Sequence, residues 1–217
     1  MSLGACFSAL EIVPLVLVGW EAWDHVELRR ATGWIAHYRW PIAFFLAVAF
    51  WNLVGAGGFG FLINPPIALY YMQGLNLTPV HGHTALFGVY GMLGIGLMLF
   101  CLRALKPTMA WNERMLRLAF WGLNGGLVLM VVLSLLPVGL LQANAAIAHG
   151  TWYARSSEFM QSPLLVHLRW MRAFGDTVFA GGALALGWFL IGLITGRSYG
   201  AVETSESTVP VPVRRAA

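Results

Sequence analysis

The sequence predicts an all-α membrane protein with about five transmembrane helices, and three observations predict it. Only 10% of the 217 residues are charged, against about 25% in an ordinary soluble domain. The apolar residues, 59% of the chain, fall in long runs, and a run of about 20 crosses a bilayer as a helix. The charged residues collect between those runs, so the mean hydropathy of +0.71 reflects segregation along the chain.

The first apolar run, residues 3–22, starts almost at Met1 without the positively charged leader of a secretory signal, and reads as the start of a span with nothing before it. The second and third, 41–63 and 81–104, are dense in glycine: Gly55, Gly57, Gly58 and Gly60, then Gly88, Gly91, Gly94 and Gly96. Small residues let helices approach closely in lipid, and also leave room for a flat cofactor. The fourth and fifth runs are 115–141 and 170–196. A basic loop (23–40), a Pro- and Tyr-containing loop (64–80), a second basic loop (105–114) and a long polar loop (142–169) connect them. The tail, 199–217, is polar and expected to be disordered.

Orientation follows from the cations. Arg29, Arg30, Arg39, Arg103, Lys106, Arg114, Arg117, Arg197, Arg214 and Arg215 all fall on one side of the five spans, and Arg155, Arg169 and Arg172 on the other. The positive-inside rule then puts the N-terminus outside and the C-terminus, with its tail, in the cytoplasm. A net charge of +4 is therefore a topology signal; no basic stripe suits a nucleic acid. Cys6 and Cys101, far apart in apolar runs, read as small core residues. Nucleotide loops, nucleophile elbows and zinc patterns are absent from the sequence.

Chemistry concentrates at a few positions. The third run opens VHGHTALFGVYG, with His81 and His83 two residues apart. On a helix that spacing turns the rings about 200° from one another, so they cannot easily share an ion. Each can ligate its own cofactor, imidazole being a usual axial ligand of haem iron, or each can be a hydrogen-bonded core residue. Glu11 lies inside the first run, where a carboxylate is costly and marks a functional position by default, or, with only ten residues before it, lies near the outer interface. Pro14 kinks that helix one turn on. Arg169 and Arg172, in LRWMRAFGD, stand on the side where cations are disfavoured. They suit bidentate binding of carboxylates, or form an ordinary interfacial pair with Asp176 or lipid phosphates. His25, His37, His149 and His167 fall in connections and read as solvated, while Asn52 and Asn124 read as hydrogen bonds between helices.

The stretch FGFLINPPIALYYMQGLNLTPVHGHTALFGVYGMLGIGLMLFCLRAL resembles the large subunit of nitric oxide reductase, in its single-chain quinol-dependent form, within the haem-copper oxidase superfamily. FSALEIVPL, LSLLPVGLLQ, HGTWYARSSEF and LRWMRAFGDTVF extend the likeness over roughly 5–198. The resemblance implies a partial haem-copper oxidase subunit I-like bundle, with residues 1–198 matching its last five helices, in a bacterial cytoplasmic membrane. It implies that His81 ligates a high-spin haem b and His83 a low-spin haem b, and that Glu11 serves proton supply; Arg169 and Arg172, by their own bidentate chemistry, suit haem propionates. It further implies reduction of nitric oxide to nitrous oxide with quinol as donor.

One departure from the pattern is large: the family's non-haem iron ligands, three histidines and a glutamate on earlier helices, are absent here. The chain is therefore expected to be the C-terminal portion of such a reductase, inactive alone, whose partners are the bilayer and the missing N-terminal helices. A cytochrome oxidase subunit I-like chain and a non-enzymatic membrane haem b protein are the competing expectations.

Overall fold

The computed structural model describes residues 37–107 and 109–196, with Cys6, Phe7, Leu10, Val13, Val16, Leu17 and Trp20. These seven are helical; the rest of the first predicted span, Glu11 included, and the tail lie outside the described residues. Among the described residues every regular element is helical, and four helices are long and apolar enough to cross a membrane.

Helix α1 (Arg39–Ile63) begins with Pro41 in its first turn, where a missing N–H costs nothing. It stops before Pro65, because a residue preceding proline is pushed out of the helical region. Pro66 then opens a short helix, α2 (Pro66–Met72). Gly74, at φ 72°, turns the chain into α3 (Leu77–Leu105). Asn112 caps α4 (Glu113–His149), its side-chain oxygen accepting from the Met115 N–H at 3.2 Å. Gly150, at φ 94°, ends it. A single 3₁₀ turn (Tyr153–Arg155) and a helical turn (Ser157–Met160) lead to α5 (Pro163–Ile194).

All four described spans are longer than the apolar runs that announced them, three of them markedly. Helix α3 starts at Leu77 rather than 81, α4 continues to His149 rather than 141, and α5 starts at Pro163 rather than 170. Hydropathy marks where lipid contact ends, whereas helical hydrogen bonding runs on until something stops it. The alanine-rich QANAAIAH has high helix propensity, and a proline at the first position is already shaped for a helix. Most of the expected polar loop 142–169 is thus helical.

Helix α4 is central: 56% of its apolar window is buried, against 22% to 29% in the other spans. Its glycines set the approach of α5. A Cβ on Gly122 would lie 2.6 Å from the Gly182 Cα, and one on Gly126 2.6 Å from the Phe179 Cα. On the other side, Gly88 of α3 leaves room for Trp51 of α1. The core between these helices contains Phe44, Trp51, Met92, Leu99, Leu127 and Phe189. Cys6 and Cys101 are not core residues as expected; both are free and exposed. Leu99 and Arg103, two residues either side of Cys101, take the buried face of α3, and a two-residue step turns Cys101 away. Arg103, a cation near the end of the third run, is only 7% exposed, its guanidinium 3.7 Å above the Trp111 ring.

One polar link crosses the apolar core. Trp51 Nε1 donates to Asn124 Oδ1 at 2.9 Å, and Asn124 Nδ2 donates to the Phe120 carbonyl at 2.9 Å. Asn124→Leu is expected to destabilise the chain by about 1–3 kcal/mol, because the buried indole N–H loses its acceptor. Adding Trp51→Phe should recover part of that loss. Denaturant unfolding of the detergent-solubilised single and double variants checks it, and strictly additive losses would contradict the coupling.

Candidate functional site

The two histidines of α3 occupy its second turn, with a helical irregularity directly behind them. The backbone over Thr84–Gly91 widens into π-helix, as does Asn52–Phe59 of α1, against which it packs. Such segments are rare and recur at functional sites. Thr84, 1% exposed, donates its hydroxyl toward the carbonyls of Val80 at 2.8 Å and His81 at 3.0 Å. Gly55 leaves room for its side chain. A third π segment, Val131–Leu135, ends two residues before Pro137 of α4, whose missing N–H breaks the regular ladder there.

His83 is oriented by its own helix. Its Nδ1 lies 2.8 Å from the Pro79 carbonyl oxygen. A carbonyl can only accept, so Nδ1 carries the hydrogen and Nε2 keeps its lone pair. The Arg172 guanidinium of α5 donates to that Nε2 at 3.0 Å, and also pairs with Asp176 one turn on at 3.3 Å. His81 faces elsewhere. Its ring lies along Gly60 of α1, where a Cβ would come within 2.9 Å of the His81 Cε1. Its Nδ1 is buried and has no hydrogen-bond partner. The two imidazoles therefore meet different helices, α1 and α5.

The other expected site residues do not converge on this pair. Arg169 is exposed, donates to the Met160 carbonyl at 3.4 Å, and lines an open pocket of about 340 Å³ with Gln161, Val166 and Trp170. Glu11 lies outside the described residues. His149 and His167 are exposed, and His167 repeats the arrangement of His83, its Nδ1 2.6 Å from the Pro163 carbonyl four residues back. At the opposite end of the bundle, Arg39 and Trp40 both engage Glu113. Burial, and then the Arg103 charge, hold the nearby His37 imidazole below its ordinary pKa. Gly60 belongs to the glycine-dense run singled out above, whereas Pro79 and Thr84 carry no compositional signal of their own. Only the Pro-x-x-x-His spacing points to one of them, since a ring bonded to the carbonyl four residues back is ordinary helix geometry.

These residues suit a haem in part. A ligating imidazole presents one nitrogen to the metal and donates from the other to a carbonyl or carboxylate, which fixes the tautomer. His83 has that arrangement toward Pro79. His81 has a glycine against which its ring edge rests, and a buried nitrogen without a partner. Among the described residues no group of three His, Cys, Asp or Glu side chains could hold a metal ion, so they do not fit the non-haem iron.

The described residues form a bundle with four apolar helices long enough to cross a membrane, one of which carries two imidazoles, and this defines a multi-pass membrane protein. Comparison with known proteins is more specific. The family described as Cytochrome C and Quinol oxidase polypeptide I matches residues 1–178, and the chain belongs to that family, within the haem-copper oxidase superfamily. A nitric oxide reductase subunit of Stutzerimonas stutzeri is 31% identical over 121 residues, which cover 55% of this chain and 25% of that protein. The match thus spans about a quarter of the relative's length.

Proposed function

We propose that this chain forms the C-terminal portion of a nitric oxide reductase core and supplies its haem ligands. The observation that carries the reading is the His83 imidazole, held by the Pro79 carbonyl in the tautomer that leaves the Nε2 lone pair to a partner, here the Arg172 guanidinium. The 31% identity to a nitric oxide reductase subunit supports the choice within the superfamily. Haem, when bound, contributes an iron centre that carries electrons and binds diatomic gases.

His83 holds a low-spin haem b through Nε2, once Arg172 releases that atom. His81, one step round the helix, holds a high-spin haem b on the α1 side. Arg172 and Arg169 are cationic donors for propionates, and Glu11 is assigned to proton supply on the sequence alone. In the balanced reaction, two nitric oxide molecules, two protons and two electrons give one nitrous oxide and one water. A quinol oxidised to quinone provides both electrons and both protons. The N-terminus lies outside and the C-terminus in the cytoplasm of a bacterial inner membrane. Helices outside this sequence supply the non-haem iron ligands.

The test measures nitrous oxide from nitric oxide and a reduced quinol, in membranes holding the chain alone or co-expressed with a polypeptide carrying those ligands. Turnover is expected only with the partner. Nitrous oxide from the chain alone refutes the division of labour. Oxygen consumption without nitric oxide turnover assigns the chain to the oxidase branch instead.

A further inference from the structure

We propose that Gln142 is a positioning residue that holds the turn carrying His81 and His83; the inference rests on the haem-ligand reading above. Gln142 lies in α4, far from either imidazole in sequence, and is only 4% exposed. A buried amide needs its donors and acceptor satisfied, and here the partners are telling. Its Oε1 accepts twice from one residue, from the Asn76 backbone N–H at 2.9 Å and the Asn76 side-chain amide at 2.7 Å. Its Nε2 donates to the Ala154 carbonyl at 3.1 Å and lies 3.2 Å from the Met160 sulfur.

Asn76 is the residue that precedes α3, and its side chain makes no capping bond to its own helix. The start of α3 is thus held from outside, by α4. Two bonds to one acceptor restrain the rotation of the turn as well as its distance. Gly139, one turn earlier on the same face of α4, brings the backbones together: a Cβ there would lie 2.7 Å from the Leu77 nitrogen. Arg155 ties the loop just upstream to the turn after α4, donating to the Gln73 carbonyl in the one and to the Thr151 carbonyl in the other. From Asn76 to His83 is less than two helical turns, so a rotation at the anchor reaches both rings.

Packing alone does not explain an amide here. Leucine would fill much the same volume, and a buried polar group is a plain cost unless its geometry is used. What leucine cannot supply is the two-pronged hold on Asn76.

The experiment uses the full chain in lipid nanodiscs, without haem, and reads amide hydrogen exchange over residues 73–83. Gln142→Leu is expected to speed exchange there about tenfold, through loss of both bonds to Asn76. Gln142→Glu keeps an acceptor for Asn76 and should restore most of the protection. Asn124→Leu, which breaks a buried polar link elsewhere, should leave that segment unchanged while lowering overall stability. Equal exchange in Gln142→Leu and the unsubstituted chain overturns the proposal, as does a rise spread evenly over α4 and α5.

Haem titration of the same samples adds a spectroscopic arm. A haem-loaded Gln142→Leu chain should show shifted g-values for its low-spin signal at unchanged stoichiometry; unshifted g-values also overturn the positioning role. Failure of the unsubstituted chain to take up haem counts against the function proposed above, and the exchange result then decides the hold on Asn76 alone.

Discussion

Substitution of His83 by leucine is expected to weaken low-spin haem binding by more than about a hundredfold. Removing even an outer partner of a ligating imidazole costs roughly ten- to a hundredfold in metal affinity, and His83→Leu removes the ligand itself. The neighbouring substitution His81→Leu should spare that signal, because its ring lies toward α1 and that of His83 toward α5. Pro79→Ala should change little, since the acceptor for His83 Nδ1 is a backbone carbonyl that alanine also has. Optical and electron paramagnetic resonance spectra of the haem-titrated chain, alone and with its partner polypeptide, check all three. An unaltered low-spin spectrum in His83→Leu removes the basis of the ligand assignment.

The second large effect concerns glycines that look alike in the sequence. Gly125 and Gly126 are adjacent, as are Gly181 and Gly182. A Cβ on Gly126 would meet Phe179 backbone and one on Gly182 would meet Gly122, both inside 3 Å, whereas Gly125 and Gly181 face open space. Overpacking of a tight core costs about 1–3 kcal/mol when flexible side chains can yield. Here the neighbours are backbone, so two helices must separate. Gly126→Leu and Gly182→Leu are expected to prevent stable folding, and Gly126→Ala to lower the unfolding midpoint clearly. In contrast, Gly125→Ala and Gly181→Ala should be neutral or slightly stabilising, since alanine improves helix propensity by about 1 kcal/mol where it fits. Circular dichroism melts of the solubilised variants separate the pairs. Equal behaviour of Gly125→Ala and Gly126→Ala contradicts the close α4–α5 contact.

Both predictions mark how far sequence reasoning reaches. The divergence of His81 and His83 is legible because two residues along a helix turn a side chain by a known angle. The ion pair of Arg172 with Asp176 is legible for the same reason, at a spacing of four. Arg103 reads in the sequence only as a topology signal near the end of a span, but Trp111, eight residues on, folds back under it. The expected grouping of Arg169 with Arg172 misleads in a similar way. Three residues apart, they part company because Arg172 meets His83 while Arg169 turns to the Met160 carbonyl.

By itself the sequence determined the solvent this chain lives in, the number and order of the described spans, and the helix that bears the imidazoles. All of these depend on composition and on periodicity within one segment, which are local properties. The tertiary structure alone decided which glycine is a contact, which nitrogen of His83 carries the hydrogen, where the backbone widens into π-helix, and that Gln142 bonds the residue before α3. Each is a relation between atoms that the chain brings together from different helices or across a turn. Such pairings depend on the shapes that pack against one another, and no spacing along a single helix encodes them.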